Sequence, residues 1–310
     1  MEACSELFRS NSTSPRPYHH ILLDSSRCGV HRPGHFRTSR RPHRPRRRSH
    51  GSCLGGIKIG KPEVRGVILA GGQGTRFRPL TYYLQKCMIP VGEEEKPVLE
   101  HIIRLFVHHE IRDLVLLVDY KYRQIKNYFN DGSRFGVKLH YMLDKPGFKG
   151  SAGAIVNVYR QGIINTDDHL VVYYGDILSN FDLKKMVSQH IKSEAAATVA
   201  LANGFRIRVG TANVKNGLIK GFHEKPEIEA PVSVGMLVIS GSVVKEMDKM
   251  HKGEAMGSFD MMGDVIPHLI KQGKPVGAYV SEEFWYDLGS LERYEQFEKD
   301  KLDRMLKYPC

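Results

Sequence analysis

Residues 69–81 read Leu69-Ala70-Gly71-Gly72-Gln73-Gly74-Thr75-Arg76-Phe77-Arg78-Pro79-Leu80-Thr81. The apolar run Val67–Ala70 that opens this stretch is continuous, as expected of a short strand buried on both faces. A glycine-rich turn follows it at once. Glycine lets the backbone come close to an anion, and bare N–H groups after a strand can cradle phosphate. The turn nonetheless fails two common phosphate patterns. Gly72-x-Gly74 lacks the third glycine of a dinucleotide fingerprint, since Phe77 stands in that place. With no acidic residue suitably placed about 20 positions on, a nicotinamide dehydrogenase is disfavoured. Nor does Gly-Lys-Ser/Thr follow, as a P-loop requires.

Outward from this turn, short apolar runs alternate with amphipathic segments. Val98–Phe106 carries Leu99, Ile102, Ile103 and Phe106 on one helical face, and Leu114–Val118 reads as a second strand. Tyr122–Phe129, Gly153–Arg160 and Leu183–Lys192 read as helices; Lys138–Leu143, Leu170–Tyr174 and Thr198–Ala202 read as strands. Shorter strands are expected at Gly217–His223, Val234–Ile239 and Pro275–Val280, with a helix near Asp264–Lys271. Such alternation predicts an α/β fold: a Rossmann-like, mostly parallel sheet with helices on both faces. Ligands of open α/β sheets bind at the carboxyl ends of the strands, which is where Gly71–Thr75 falls.

Charge divides the chain in two. Residues 1–62 hold 11 Arg and 2 Lys against Glu2, Glu6 and Asp24, a net of +10 out of the total +12. Residues 63–310 are therefore nearly neutral, at +2. The leader is rich in Arg, Ser, Pro and His and lacks apolar periodicity, which predicts disorder. Several roles stay open for it: a dispensable extension from an early start codon, an arm for nucleic acid or another polyanion, a nuclear address, or a transit peptide. Its acidic residues and the lack of an amphipathic helix speak against the transit peptide. The expected division is a leader over 1–62 and a catalytic domain over 63–310. No apolar stretch approaches the roughly 18–20 residues of a membrane span. Five scattered cysteines show neither metal-ligand spacing nor a disulfide framework, so a cytoplasmic location is expected.

Several motifs follow the turn in order: Lys86-x-x-Ile89-Pro90-Val91, Asp131-Gly132-Ser133-x-Phe135-Gly136, Gly150-Ser151-Ala152-Gly153-Ala154, Gly175-Asp176, Glu224-Lys225-Pro226 and Trp285-Tyr286-Asp287-Leu288-Gly289. With Gly71-Gly72-x-Gly74-Thr75-Arg76 and Pro79-Leu80-Thr81 they resemble the sugar-1-phosphate nucleotidyltransferases (NDP-sugar pyrophosphorylases) from about Val64 to Tyr294. The chain ends at Cys310 with no hexapeptide-repeat β-helix, so the expected form is the short one, without an added acetyltransferase activity or assemblies built on that helix.

The resemblance implies Mg²⁺-dependent attack by a hexose-1-phosphate oxygen on the α-phosphorus of an NTP, giving an NDP-sugar and pyrophosphate. Thymidylyl, uridylyl and guanylyl types all remain open. Catalysis of such a displacement is mainly alignment and charge neutralisation. Arg76 and Lys86 would meet the phosphates as the catalytic cations. Leu69, Ala70, Gly71, Gly72, Gly74, Thr75, Asp144, Gly150 and Ser151 would bind the nucleotide. Gly210, Glu224, Lys225 and Gly235 would contact the sugar, and Asp176 and Asp287 would hold Mg²⁺. The implied partners are an NTP and a hexose-1-phosphate, with no membrane; a homo-oligomer stays open.

Three departures stand out. Asp144 occupies a place where many thymidylyl and uridylyl members have a base-pairing Gln, and a carboxylate accepts hydrogen bonds, as guanine N–H groups would require. Gln85 precedes Lys86 where Pro or Ser is common, and Ser233-Val234-Gly235 lacks a frequent Asn. His101, His108 and His109 are expected at or just under the surface; Met256, Met261 and Met262 are expected in packing roles, and Trp285 either buttresses Asp287 or packs in the core. Two rival functions remain: a catalytically silent, sugar-nucleotide-sensing subunit on the same fold, and a nucleic-acid-binding protein centred on the leader.

Overall fold

The structure is a computed structural model, described here over residues 63–206, 209–228, 230–253 and 257–297. The basic leader and Met256 lie outside the described residues. In chain order the first elements are β1 (Val64–Ala70), β2 (Pro90–Val91), β3 (Lys96–Pro97), α1 (Val98–His108), β4 (Asp113–Val118), α2 (Tyr122–Phe129) and β5 (Lys138–Leu143). Next come α3 (Ser151–Arg160), β6 (His169–Tyr174), β7 (Ile177–Ser179), α4 (Leu183–Lys192), β8 (Ala197–Ala202), β9 (Phe205–Arg206), β10 (Thr211–Lys215) and β11 (Leu218–His223). The last are β12 (Glu227–Ile228), β13 (Val232–Ser240), α5 (Gly241–Met250), α6 (Ile266–Lys271), β14 (Val276–Ser281), β15 (Trp285–Asp287) and α7 (Leu291–Glu295).

Seven strands form the central sheet in the order β14-β8-β13-β6-β1-β4-β5. All pair in parallel except β13, which runs antiparallel to both β6 and β8. In register, Val67 lies beside Val115 and Val172, and Ile68 beside Leu116 and Tyr173. Side chains alternate across the sheet, so these two rows enter different cores. Ile68, Leu116 and Tyr173 pack in the cluster of Leu99, Ile103 and Phe106 of α1 and Met186 of α4. Val67, Val115 and Val172 join Ile155 and Val158 of α3, Val244 and Met247 of α5 and Leu269 of α6. Both faces are covered, which is why β1, β4 and β6 read as unbroken apolar runs. Each such buried aliphatic contributes about 1.5–3 kcal/mol.

The expected α/β architecture is present, with helices on both faces. Helix α3 starts at Ser151, two residues before its apolar pattern, because Gly150 with φ +89° makes the turn into it. Sequence reading passed over α5, whose buried Val243, Val244 and Met247 form only a narrow stripe. The segment before α6 is a π-turn over Met261–Val265, entered through Asp260, whose carboxylate accepts from the N–H groups of Met262 and Gly263. Among the described residues no helix is long and apolar enough to cross a membrane.

Candidate functional site

A cleft of about 490 Å³ opens at the carboxyl ends of β1, β4 and β6. The turn after β1 supplies Leu69, Gly71, Gly72, Gly74, Thr75 and Arg76 to its wall. Lys86 enters from a single helical turn over Lys86–Met88. Asp144 stands just past β5, Gly150 and Ser151 at the start of α3, and Asp176 just past β6. These eleven predicted residues, up to 107 positions apart (69 to 176), thus share one cavity. Ala70 is the exception among the predicted nucleotide contacts. Its side chain is buried, and its carbonyl accepts from Gln85 Nε2 at 2.7 Å.

Two glycines are required by geometry. Gly74 has φ +59°, and a Cβ there would press on Thr81 Cγ2 at 2.9 Å; the Thr81 hydroxyl also donates to the Gly74 carbonyl at 2.8 Å. A Cβ on Gly150 would meet Ser258 Oγ at 2.7 Å and collide with the Phe259 carbonyl. That carbonyl accepts from the Ala152 and Gly153 N–H groups, so these first amides of α3 are already occupied. The amides of Gly72 to Arg76, by contrast, donate to no acceptor among the described residues. The turn is therefore the free anion cradle, and the helix start is a wall.

Charge is arranged to match. Arg76 is exposed and forms no ion pair among the described residues, so its guanidinium is free for a ligand. Lys86 is mostly buried; its Nζ donates to Asp176 Oδ2 at 2.5 Å and sits 5.4 Å from the Phe77 ring centre. Phe77, at the place of the missing third glycine, is fully buried beneath the turn. Desolvation and the nearby Asp119 charge push the Asp144 carboxyl up to about 6. Its Oδ2 would lie 3.3 Å from a Cβ on Gly71. The cleft wall thus combines the cations Arg76 and Lys86 with the carboxylates Asp176 and Asp144.

A second cavity of about 190 Å³ holds Gly235, Asp287, Trp285 and Arg293. Gly235 has φ +75° and lies where β13 slips register against β8 between Ser233 and Leu237, a bulge that brings backbone into the cavity. The two cavities adjoin at the β15–β7 ladder. Asp287 pairs with Ile177, and the Leu288 N–H donates to the Asp176 carbonyl at 2.9 Å. Asp176 and Asp287, 111 positions apart, therefore stand at one end of one short ladder. A pair of hard carboxylate oxygens beside a phosphate cradle fits Mg²⁺, whose remaining ligands come from phosphates and water. Here Asp176 is engaged by Lys86 and Asp287 by Arg293, so cations stand next to both.

Three expected sugar contacts are not brought to either cavity. Gly210, Glu224 and Lys225 flank the β10–β11 hairpin, where Glu224 and Lys225 are exposed. Gly210 and Glu224 do lie together, with Glu224 Oε2 3.0 Å from a Cβ on Gly210. Their hairpin forms a separate two-stranded sheet, and Val214, Ile219 and Phe222 are exposed on it.

Sequence reading missed Gln85 as a structural participant, although its departure from the usual Pro or Ser was the available signal. It also passed over Tyr174 in the cleft wall and Asp260, whose Oδ2 accepts from Ser151 Oγ at 2.7 Å. Asp260 carries no motif, and only the fold brings it to α3. His101 and His109 are half-buried and His108 is exposed, as expected, and Met261 is core.

The family model described as nucleotidyl transferase matches residues 65–304. A UTP–glucose-1-phosphate uridylyltransferase of Synechocystis sp. is 32% identical over 260 residues, covering 79% of this chain and 65% of that protein. The chain thus spans about two thirds of that relative's length. A D-glycero-alpha-D-manno-heptose 1-phosphate guanylyltransferase of Aneurinibacillus thermoaerophilus is 27% identical over 239 residues, covering 76% of this chain and 98% of that one. Among solved structures, a Bacillus anthracis protein in complex with sucrose superposes with a TM-score of 0.63 at 23% identity, over 80% of this chain and 98% of its own.

Proposed function

The chain belongs to the nucleotidyl transferase family, and from that membership we propose that it transfers a nucleotidyl group from an NTP to a hexose-1-phosphate. The observation that carries the reading is the convergence of the free amides of Gly72–Arg76, the Lys86 ammonium and the Asp176 carboxylate in one cleft. In the step, an oxygen of the sugar phosphate forms a bond to the α-phosphorus, and the bond from that phosphorus to the oxygen bridging to the β-phosphate breaks. Pyrophosphate leaves with the electron pair. The turn and Arg76 hold the β- and γ-phosphates, and Lys86 sits where charge is redistributed at the α-phosphate. Asp176 and Asp287 would hold Mg²⁺, which when bound supplies further neutralisation of the phosphate charge. No residue of the chain is covalently modified.

The base end of the cleft favours guanine. Ionised Asp144 offers only acceptors, which suit the N1–H and amino groups of guanine and not the carbonyl edge of uracil or thymine. The sugar is assigned to the side of Gly235 and Asp287, adjoining the metal carboxylates.

The test is pyrophosphate release with Mg²⁺, crossing ATP, GTP, CTP, UTP and dTTP with glucose-, mannose-, galactose- and N-acetylglucosamine-1-phosphate. We expect GTP to lead, with Asp176→Asn reducing turnover by at least about 100-fold. Binding of NDP-sugar without release from any pair would replace this reading with the sensing-subunit one.

A further inference from the structure

We propose that Gln85 is a positioning residue that ties the Lys86 ammonium to the phosphate-binding turn, and that it acts on the nucleotide only through Lys86. The inference rests on the cleft being a triphosphate site. Gln85 is fully buried, and both ends of its amide are used. Nε2 donates to the carbonyl of Ala70, the last residue of β1 and the one before Gly71, at 2.7 Å. Oε1 accepts from the Cys87 N–H at 2.5 Å. One side chain therefore joins the root of the glycine turn to the backbone on the far side of Lys86. The Gln85 backbone N–H in turn donates to Gln124 Oε1 of α2 at 2.7 Å, and Gln124 Nε2 donates to the Tyr83 carbonyl at 2.7 Å.

The bridge demands a donor and an acceptor at the end of a two-carbon stem, which glutamine supplies. Glutamate would set a carboxylate against the Ala70 carbonyl, and alanine would leave a buried carbonyl and N–H unpaired. Lys86 itself is held at its ammonium by Asp176 and over the face of the Phe77 ring, so its backbone is the remaining freedom. Gln85 removes it. Displacing a cation by about 1 Å at a phosphoryl site costs up to about 100-fold in rate.

The experiment is a double-mutant cycle on the full chain, comparing wild type, Gln85→Ala, Lys86→Ala and the double variant. Two quantities are read: steady-state pyrophosphate release, and equilibrium binding of GTP and of UTP. Gln85→Ala is expected to lower kcat about 10-fold, with KM for the sugar phosphate within about twofold of wild type. Lys86→Ala is expected to lower it about 100-fold, and the double variant to match Lys86→Ala within about twofold. A purely structural amide would slow the Lys86→Ala enzyme by its full factor again, and that result overturns the proposal. An unchanged kcat in Gln85→Ala overturns it as well. Should Gln85→Ala not fold, Gln124→Ala replaces it, with the same direction, a smaller loss and the same decisive comparison in the Lys86→Ala background. If wild type transfers no nucleotidyl group, the functional reading fails separately, and the cycle in GTP and UTP dissociation constants still decides the role of Gln85.

Discussion

The cleft and the β10–β11 hairpin are both close to predicted ligand residues, but they are built in opposite ways. In the cleft, several groups rest on packed supports: Gly74 on buried Thr81, Lys86 between buried Gln85 and Phe77, Ser151 on half-buried Asp260. Gly210, Glu224 and Lys225 instead flank a separate two-stranded sheet whose Val214, Ile219 and Phe222 are exposed. A two-stranded ribbon with no core of its own is marginally stable. The difference teaches that the cleft residues are held in place by packing, whereas Gly210, Glu224 and Lys225 line neither cavity.

Four measurements break or sharpen that contrast. The largest effect is expected for Gly150→Ala, because a Cβ collides with the Phe259 carbonyl and the positive φ adds strain of about 1–3 kcal/mol. Nucleotide affinity should fall about 100-fold or the chain should lose its cooperative unfolding; a variant with wild-type affinity and midpoint would show that the wall is soft.

Next comes Asp144→Asn, expected to erode the preference for GTP over UTP by about 10-fold. The wild-type preference should itself rise with pH through about 6, where the Asp144 carboxyl ionises, and the variant should show no such step. Stability gives an independent reading. The folded state holds this proton more tightly than the unfolded chain, whose carboxyl titrates near 3.8, so stability falls as pH rises from about 4 to about 6 and levels off above. Denaturation midpoints across that window should show a slope that Asp144→Asn removes.

Glu224→Gln is expected to raise KM for the sugar phosphate about three- to fivefold while leaving GTP affinity alone, since one exposed contact is lost. An unaffected KM would detach the hairpin from the site. The smallest effect belongs to Phe222→Ser, which should shift stability by less than about 0.5 kcal/mol because the ring is already exposed. A larger loss in denaturant melts would mean that the hairpin is buried against something in solution.

Much of the molecule was legible in the chain itself. The runs Val67–Ala70, Leu114–Val118 and Leu170–Tyr174 marked strands covered on both faces, and α2, β5 and α4 match their apolar patterns residue for residue. These readings succeed because periodicity and turn chemistry are local properties. The reversed direction of β13 was not legible, since an antiparallel strand buried on both faces carries the same apolar run as a parallel one. Helix α5 was missed for a related reason: beyond Gly241, only Val243, Val244 and Met247 are buried, too weak a stripe.

By itself, the sequence determined the α/β layering and the glycine-rich turn, and it singled out Arg76, Lys86, Asp176 and Asp287 as candidate site residues. Only the tertiary structure decided which of them meet. Asp287 reaches Asp176 through the pairing of β15 with β7, Gly235 is turned into its cavity by a bulge in β13, and Gln85 spans two loops through a buried amide. Sheet order, register and side-chain reach act between residues many tens of positions apart. No window along the chain contains them, because the forces that set them come into play only once the strands are paired and both faces of the sheet are covered.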